Sequence, residues 1–370
     1  MITTHDVGSF PHRVESSLLL NGARASQSVL SLLGTPGDVS KVFEDEIVGA
    51  FSDKLRAGID IPNYPQYRDM DEMFLEMIRG IEKVDGGYIV TGDISSKSGA
   101  SIPEVEVLKR NVSRVKGLAE VDDFRMKICV TGPYTLASFF QSKDPNLFEK
   151  LGRAIAKITS NSIFSTRSAE VKLLWIDEPV LGFLNDPLLD YGSEGREALR
   201  DAWETICSRA SAKDVETGIH LHNTSDSLFW EVKHLNVVES HVDDPLYSST
   251  STKRLLEETD KCIKASIGIT IFDNLIENKL REKGEHEDLL QQVADKWREI
   301  KNKVIDPHIF LETSELMQAR LRKIINYFGP EYILYAGPEC GLKSFPNYGS
   351  AIECLRRISR AVDVFNAAEK

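Results

Sequence analysis

The residues of this chain with the clearest chemical potential are a cysteine and several histidines that follow short apolar runs. Cys340 comes just after the apolar run 332–335, in a glycine-rich turn where backbone can approach a ligand closely. A thiol at such a corner between a strand and a loop is well placed to bind a soft metal such as zinc. The alternative for this cysteine, taken alone, is a buried structural role.

Histidines and carboxylates alternate with other residues in two further runs, 219–224 and 238–244. Alternate residues of a strand point to the same face, so the polar residues of each run share one side. Any one of them is ordinary by itself, as a hydrogen-bonding histidine or as a carboxylate paired with Lys or Arg. Together they predict a metal or catalytic cluster that could contain His220, His222, Glu239, His241, Asp243 and Cys340.

Two adjacent acids, Asp177 and Glu178, end the apolar run 173–176. We expect one of the two to hold a substrate ammonium group, and the alternative is a salt bridge or a helix cap. Near the start of the chain, the turn Val7-Gly8-Ser9 leaves backbone N–H groups free, which is an arrangement that can bind a carboxylate.

The elements that must position these residues are short β-rich runs that alternate with amphipathic stretches. Apolar residues recur at helical spacing in the segments 42–57 and 314–328, for example. Strands that alternate with helices in this way predict a (β/α)8 TIM barrel, an α/β fold whose active-site groups lie at the C-terminal ends of the strands. The eight strand runs are 4–10, 58–63, 126–133, 173–179, 218–223, 236–244, 265–273 and 332–340.

Three segments depart from this simple count. Residues 16–37 form an N-terminal excursion before the first main helix, and 86–94 reads as a strand of a small β insertion, a hairpin, after the second βα unit. The short apolar run 308–312 is predicted to be a loop or a minor strand. With no internal repeat and no obvious linker, we expect one barrel domain over residues 1–370.

Bulk properties exclude several classes of function. The net charge is −12 and no dense Lys/Arg stripe is present, which argues against a role on nucleic acid or on an anionic membrane. No stretch approaches the roughly 20 apolar residues that are needed to span a bilayer. The 5 cysteines are scattered without paired spacing, which indicates a reducing compartment, and we predict a cytoplasmic location.

Taken in order, five motifs resemble the catalytic barrel of cobalamin-independent methionine synthase, particularly the short archaeal-type versions that lack the duplicated N-terminal barrel. The resemblance covers nearly the whole chain, and its last motif is the most specific. The motifs are Val7-Gly8-Ser9-Phe10-Pro11, Thr131-Gly132-Pro133, Ile176-Asp177-Glu178-Pro179, Ile219-His220-Leu221-His222 and Gly337-Pro338-Glu339-Cys340-Gly341-Leu342-Lys343.

The resemblance implies a zinc ion that binds the thiol of homocysteine and is held by His, Cys, Glu and a second Cys. It places the histidine at His222 and the second cysteine at Cys340, whereas the first cysteine position reads Thr224. The glutamate position falls on Asp243, with Glu239 as the alternative. The predicted metal ligands are therefore His222, Asp243 and Cys340, and His220, Glu239 or His241 can replace the missing ligand.

For the substrate, the resemblance implies that the Val7-Gly8-Ser9 turn and Asp177 hold the amino-acid part of homocysteine. The family also has an acid after the second strand that would contact the substrate amine, and this chain has Tyr64 at that position. Asp177 and His241 are the candidate catalytic residues. Since Thr224 is neutral, a metal bound here would be more Lewis-acidic and more weakly held.

The resulting hypothesis is a thiol methyltransferase, with homocysteine as the simplest acceptor and methionine as the product. The methyl donor is open: a methylated folate, or a methylated corrinoid on a partner protein. One alternative is another metal-dependent barrel enzyme, a hydrolase or lyase, in which the His220-x-His222 pair and a downstream aspartate hold a metal that activates water. The other is a degenerate, zinc-free relative that serves as a binding protein.

Overall fold

The structure is a computed structural model that describes residues 1–26, 37–183 and 185–368. Part of the predicted N-terminal excursion, residues 27–36, lies outside the described residues. The strands are β1 Thr3–Thr4, β2 Ile78–Val84, β3 Gly87–Ser96, β4 Phe124–Thr131, β5 Ala169–Glu178, β6 Glu216–Leu221, β7 Val237–Glu239, β8 Cys262–Gly268 and β9 Ile333–Pro338.

The helices surround these strands. They are α1 Ser16–Ser26, α2 Asp38–Arg56, α3 Glu72–Leu75, α4 Pro103–Arg110, α5 Val112–Ala119, α6 Pro133–Ala137, α7 Pro145–Ser162, α8 Glu194–Ser211, α9 Thr250–Glu258, α10 Phe272–Glu282, α11 Leu289–Lys301, α12 Ser314–Phe328 and α13 Tyr348–Ala368. The predicted helices 42–57 and 314–328 correspond to α2 and α12. None of the helices in the described part of the chain could span a lipid bilayer. The cytoplasmic location stays a prediction.

Capping residues mark where several helices begin. Asp144 accepts a hydrogen bond from the backbone N–H of Leu147 at 2.8 Å, and Pro145 occupies the first position of α7. Thr313 accepts from the backbone N–H of Leu316 at the start of α12 in the same way. These helices therefore begin where a capping residue precedes a segment with apolar residues at helical spacing.

Seven of the strands form one parallel sheet, in the order β1-β9-β8-β7-β6-β5-β4. The predicted second strand, residues 58–63, lies between β1 and β4 and closes the barrel through isolated parallel bridges. These bridges join His5 to Ile61 and Asn63 to Lys127. Pro62 has no N–H to donate, so a continuous ladder does not form there. The TIM-barrel prediction is confirmed, with one strand less regular than expected.

Two of the segments outside the regular alternation are a β hairpin and a 3-10 helix. β2 and β3 pair antiparallel, so the strand predicted at 86–94 belongs to a hairpin inserted after the second unit. The run 308–312 overlaps a 3-10 helix, Pro307–Phe310, rather than a strand. The assignment of residues 1–370 to a single domain stays a prediction.

An apolar layer fills the barrel interior. Its largest members are Trp175 and Tyr335, whose ring centroids lie 6.1 Å apart in an edge-on arrangement. Gly218 faces the indole, because a Cβ at this position would lie 2.2 Å from Trp175 Cε2. The layer forms the floor on which the polar groups of the strand ends rest.

A buried layer of ionisable groups lies against this floor. Lys127 Nζ is 4.9 Å from the centroid of the Trp175 ring and 3.1 Å from His5 Nδ1. Glu239 lies 3.1 Å from Lys264 Nζ and 3.9 Å from His5 Nε2. All four charged or imidazole side chains are fully buried, so their mutual contacts replace hydration.

Candidate functional site

Three histidines and one cysteine converge at the C-terminal ends of the strands. His220 and His222 come from the end of β6, His241 follows β7, and Cys340 follows β9. One ligand atom from each lies within 4.8 Å of the others, and Cys340 Sγ is 3.6 Å from His222 Nε2. Tetrahedral zinc, with bonds of about 2.0–2.3 Å, places its ligand atoms about 3.3–3.8 Å apart. A small contraction would therefore bring all four to bonding distance, and we call this set the His/Cys cluster.

The donor atoms of the cluster are available. His220 Nε2 and His241 Nε2 are buried and have no hydrogen-bond partner. The other ring nitrogen of His220, Nδ1, lies 3.0 Å from Glu239 Oε1. Such a carboxylate contact fixes the tautomer and the orientation of an imidazole so that its second nitrogen can bind a metal.

The protonation states of the cluster also fit a metal site. Burial, together with His220 and His241, lowers the pKa of His222 to about 3, and burial lowers the pKa of His220 as well. These imidazoles are therefore neutral, which is the form that binds metals. Burial and the nearby Asp177 raise the pKa of the Cys340 thiol to about 12, so a cation is needed to make it a thiolate.

The structure places Asp243 outside the His/Cys cluster, in contrast to the expected ligand set. Its side chain is exposed. β7 ends at Glu239, and the backbone N–H of Asp244 donates to the carbonyl of His241 at 3.1 Å, which closes a turn. The alternation of side chains continues past β7 as far as His241 and ends at this turn, so Asp243 does not follow His241 into the barrel. Glu239, the alternative glutamate, lies beneath the cluster and contacts His220.

Thr224, which stands where the family pattern has a cysteine, is occupied elsewhere. Its hydroxyl donates to Asp244 Oδ1. The histidine that joins the cluster from the neighbouring strand end is His241, whose ring centroid lies 4.3 Å from that of His222. The cluster therefore gains imidazole nitrogens where the family pattern has sulfur and a carboxylate.

Asp177 and Glu178 have different environments. Glu178 accepts hydrogen bonds from the backbone N–H groups of Tyr134 and Thr135 at 3.0 and 2.7 Å and from Trp203 Nε1 at 2.8 Å. Asp177 is only 9% exposed, and its Oδ1 has no hydrogen-bond partner. Burial, followed by Glu239 and Glu178, raises the pKa of Asp177 well above its usual value. Glu178 therefore has a structural role, whereas Asp177 has the free carboxyl group.

The Val7-Gly8-Ser9 turn lies beside the Cys340 loop. Gly8 has a φ of +142°, and a Cβ there would lie 2.4 Å from Asn63 Nδ2. The carbonyl of Ser9 accepts from the backbone N–H of Leu342 at 2.7 Å. The turn is thus held between the second strand segment and the last strand end, next to the cysteine of the cluster.

Some polar residues of the interior were not found from the sequence. Lys127 and Lys264 each interrupt an apolar strand run, and a lone lysine in such a run is a usable signal for a buried charge. Asp71 is different, because it lies in an irregular loop without periodicity. Its Oδ1 is buried and has no hydrogen-bond partner.

Comparisons with known proteins agree with this architecture. The family model described as "Cobalamin-independent synthase, Catalytic domain" matches residues 1–363. A methionine synthase of Saccharolobus solfataricus is 24% identical over 317 residues, covering 83% of this chain and 79% of that protein. A methionine synthase of Sulfolobus acidocaldarius is 26% identical over 324 residues, with 84% and 78% covered.

Solved structures share the fold. A B12-independent methionine synthase from Shewanella sp. W3-18-1, in complex with selenomethionine, superposes with a TM-score of 0.60 at 13% identity, over 100% of this chain and 98% of that one. A methyltransferase from Methanosarcina mazei gives 0.52 at 15% identity, over 99% and 95%. Since the family model spans nearly the whole chain, the predicted resemblance is confirmed, and the chain belongs to the cobalamin-independent methionine synthase family as a methionine synthase-like enzyme.

Proposed function

We propose that this enzyme transfers a methyl group to the sulfur of homocysteine, giving methionine, at a zinc ion that His220, His222, His241 and Cys340 would hold. The convergence of four donor atoms within 4.8 Å, two of them buried without partners, is the observation that carries the proposal. Bound zinc would lower the pKa of an incoming thiol so that it is present as the nucleophilic thiolate at neutral pH.

The residues around the cluster would orient the acceptor. Asp177 offers a buried carboxyl group without a partner, suited to a substrate ammonium group. The Val7-Gly8-Ser9 turn lies beside the Cys340 loop, where its backbone could meet the substrate carboxylate. Fixing both ends of the amino acid would leave its thiol directed at the His/Cys cluster, which is how positioning lowers the barrier to a two-substrate reaction.

The proposed ligand set differs in charge from the family pattern. Three neutral imidazoles and one thiolate supply one negative charge, whereas His, Glu and two Cys would supply three. The smaller negative charge leaves a metal more positive, which favours ionisation of a bound thiol and weakens the nucleophilicity of the resulting thiolate. We therefore expect lower metal affinity here than for a site with two thiolates.

The experiment tests acceptor, donor and metal together. Zinc-replete protein is incubated with homocysteine and either a methylated folate or a methylated corrinoid, and methionine is measured by mass spectrometry. We expect about one zinc per chain and methionine from at least one donor. Failure of every donor with zinc-replete protein would reject the proposed reaction.

A matched pair of cysteine variants tests the ligand assignment. Cys340→Ser should lose the metal, because it removes the thiolate of the set. Cys262→Ser is the control, since this half-buried cysteine of β8 is not part of the cluster. Wild-type protein that is active without metal would overturn the assignment.

A further inference from the structure

Two carboxyl groups without partners lie near the ends of β4 and β5. Asp177 is 9% exposed, and its Oδ1 makes no hydrogen bond. Asp71 is half-buried, and its Oδ1 is likewise buried and without a partner. A buried carboxylate oxygen without a hydrogen-bond partner lowers the stability of the folded state. A cationic ligand bound between the two carboxyl groups would remove this cost.

A long-range contact brings Asp71 to this position. The hydroxyl of Thr131, at the end of β4, donates to the carbonyl of Met70 at 2.7 Å. Thr131 lies opposite Asp177 in the register of β4 and β5. The residue after Met70 is Asp71, which therefore lies at the same edge of the barrel mouth as Asp177.

The local structure does not use the side chain of Asp71. Asp71 occupies the N-cap position of α3, where an aspartate usually accepts from the first backbone N–H groups of the helix, but it makes no such bond. Asp69 performs the task instead, accepting from the backbone N–H groups of Asp71 and Glu72 at 3.0 and 2.9 Å. The carboxyl group of Asp71 is left for another role.

Two cations near this loop, Arg68 within it and Lys83 on β2, are also engaged elsewhere. Arg68 forms a two-pronged ion pair with Glu104, at 2.7 and 2.9 Å. Lys83 pairs with the exposed Glu72. Burial, followed by the acidic neighbours, raises the pKa of Asp71 to about 7, as expected for a carboxyl group surrounded by acids.

We propose that Asp71 and Asp177 together bind the ammonium group of the amino-acid substrate, with Asp71 supplying the negative charge that Tyr64 cannot supply. Tyr64 stands where the family pattern has an acid, but it is fully buried and its hydroxyl donates to the carbonyl of Cys129 at 2.8 Å. This inference rests on the proposed function and deepens it. It makes the site selective for thiols that carry an α-amino group.

The test compares Asp71→Asn with Glu72→Gln. Asn keeps the size of the side chain and removes its charge, while Glu72 is an exposed acid next to Asp71, at the start of α3, that pairs with Lys83. Binding of L-methionine to zinc-loaded protein is measured by calorimetry, which needs no turnover. We expect Asp71→Asn to weaken binding about 10- to 100-fold, the range for a lost hydrogen bond between charged groups, and Glu72→Gln to bind like wild type.

Three further readouts separate binding from a structural role. Affinity for 4-mercaptobutanoate, which lacks the amino group, should be unchanged in Asp71→Asn, as should zinc content. Wild-type affinity for L-methionine should rise from about pH 6 to about pH 8 as Asp71 ionises, and the variant should show a smaller rise. The charged groups that face Asp71 are Asp69 from its own loop, Glu72 from the start of α3, and Asp177 and Glu178 from β5.

The outcomes distinguish this inference from the proposed function. Equal affinity of wild type and Asp71→Asn for L-methionine, or equal losses with 4-mercaptobutanoate, would overturn the ammonium subsite even if methyl transfer occurs. Asp71-dependent binding of L-methionine by a protein that transfers no methyl group would support the subsite and refute the proposed reaction.

Discussion

Removing the buried charge of Glu239 should destabilise the barrel even without metal. The carboxylate is fully buried and lies 3.1 Å from Lys264 Nζ and 3.0 Å from His220 Nδ1. Burial acts to raise the pKa of Glu239, but Lys264, Lys127 and His220 hold it well below its usual value. Glu239→Gln keeps the shape and one hydrogen-bond acceptor, and it leaves the lysines without a counter-ion.

The contact distance sets the size of the effect. Two unit charges 3.1 Å apart attract by about 5 kcal/mol at an effective dielectric constant of about 20. Breaking a buried pair by removing one partner costs about 3–5 kcal/mol. For 370 residues the unfolding entropy is about 0.8 kcal/mol per kelvin, so the melting temperature should fall by about 4–6 °C.

The assay is thermal unfolding of chelator-treated protein, so that loss of metal does not contribute. Lys264→Met provides the matched change on the other side of the pair. In the double variant the two losses should not add, and a coupling of about 2 kcal/mol or more is expected. A melting temperature for Glu239→Gln within about 1 °C of wild type, or additive losses in the double variant, would refute the reasoning.

Three further predictions follow from the site. Gly8→Ala should lower the melting temperature, because Gly8 has a φ of +142° and a Cβ there would lie 2.4 Å from the amide nitrogen of Asn63. Gly117→Ala in α5, where a Cβ would meet nothing within 4 Å, should leave the melting temperature unchanged or raise it. Equal melting temperatures for the two variants would contradict this. Asp71→Asn should be more stable than wild type at pH 8, because the pKa of Asp71 is raised on folding to about 7. In a series of melting curves, the difference in melting temperature between the two proteins should grow as pH rises from about 4 to about 7 and then stay constant. A difference that does not depend on pH would count against a raised pKa. His241→Ala should weaken zinc binding at least about tenfold in a chelator competition. Thr224→Ala should keep wild-type zinc affinity, because the hydroxyl of Thr224 donates to the carboxylate of Asp244. A larger loss of zinc affinity in Thr224→Ala than in His241→Ala would place Thr224 in the ligand set.

The spacing of apolar residues predicted most of the fold, because it shows which face of each helix or strand is buried. The α12 helix matches its predicted span, and a capping threonine marks its start. The segment 58–63 was recognised as a strand by its place in the alternation, although Pro62 prevents a regular ladder there. The family motifs contributed the expected ligand set and the expected substrate contacts at the strand ends.

The candidate site was predictable only in part. His222 and Cys340 come together as expected, since each ends a strand of the same parallel sheet. Asp243 does not join them, because the alternation of side chains was extended past His241, where the chain turns. Asp71 gave no signal, since its position depends on the hydrogen bond between Thr131 and Met70, a contact between residues far apart in the sequence.

The aromatic floor of the barrel has a consequence for the order of events. Trp175 and Tyr335 fill the interior below the His/Cys cluster, so in the described part of the chain both reactants must approach through the same opening. A large methyl donor seated over that opening would block the exit of the amino acid beneath it. We therefore expect ordered kinetics, in which the thiol binds first, the donor arrives second and leaves first, and methionine departs last.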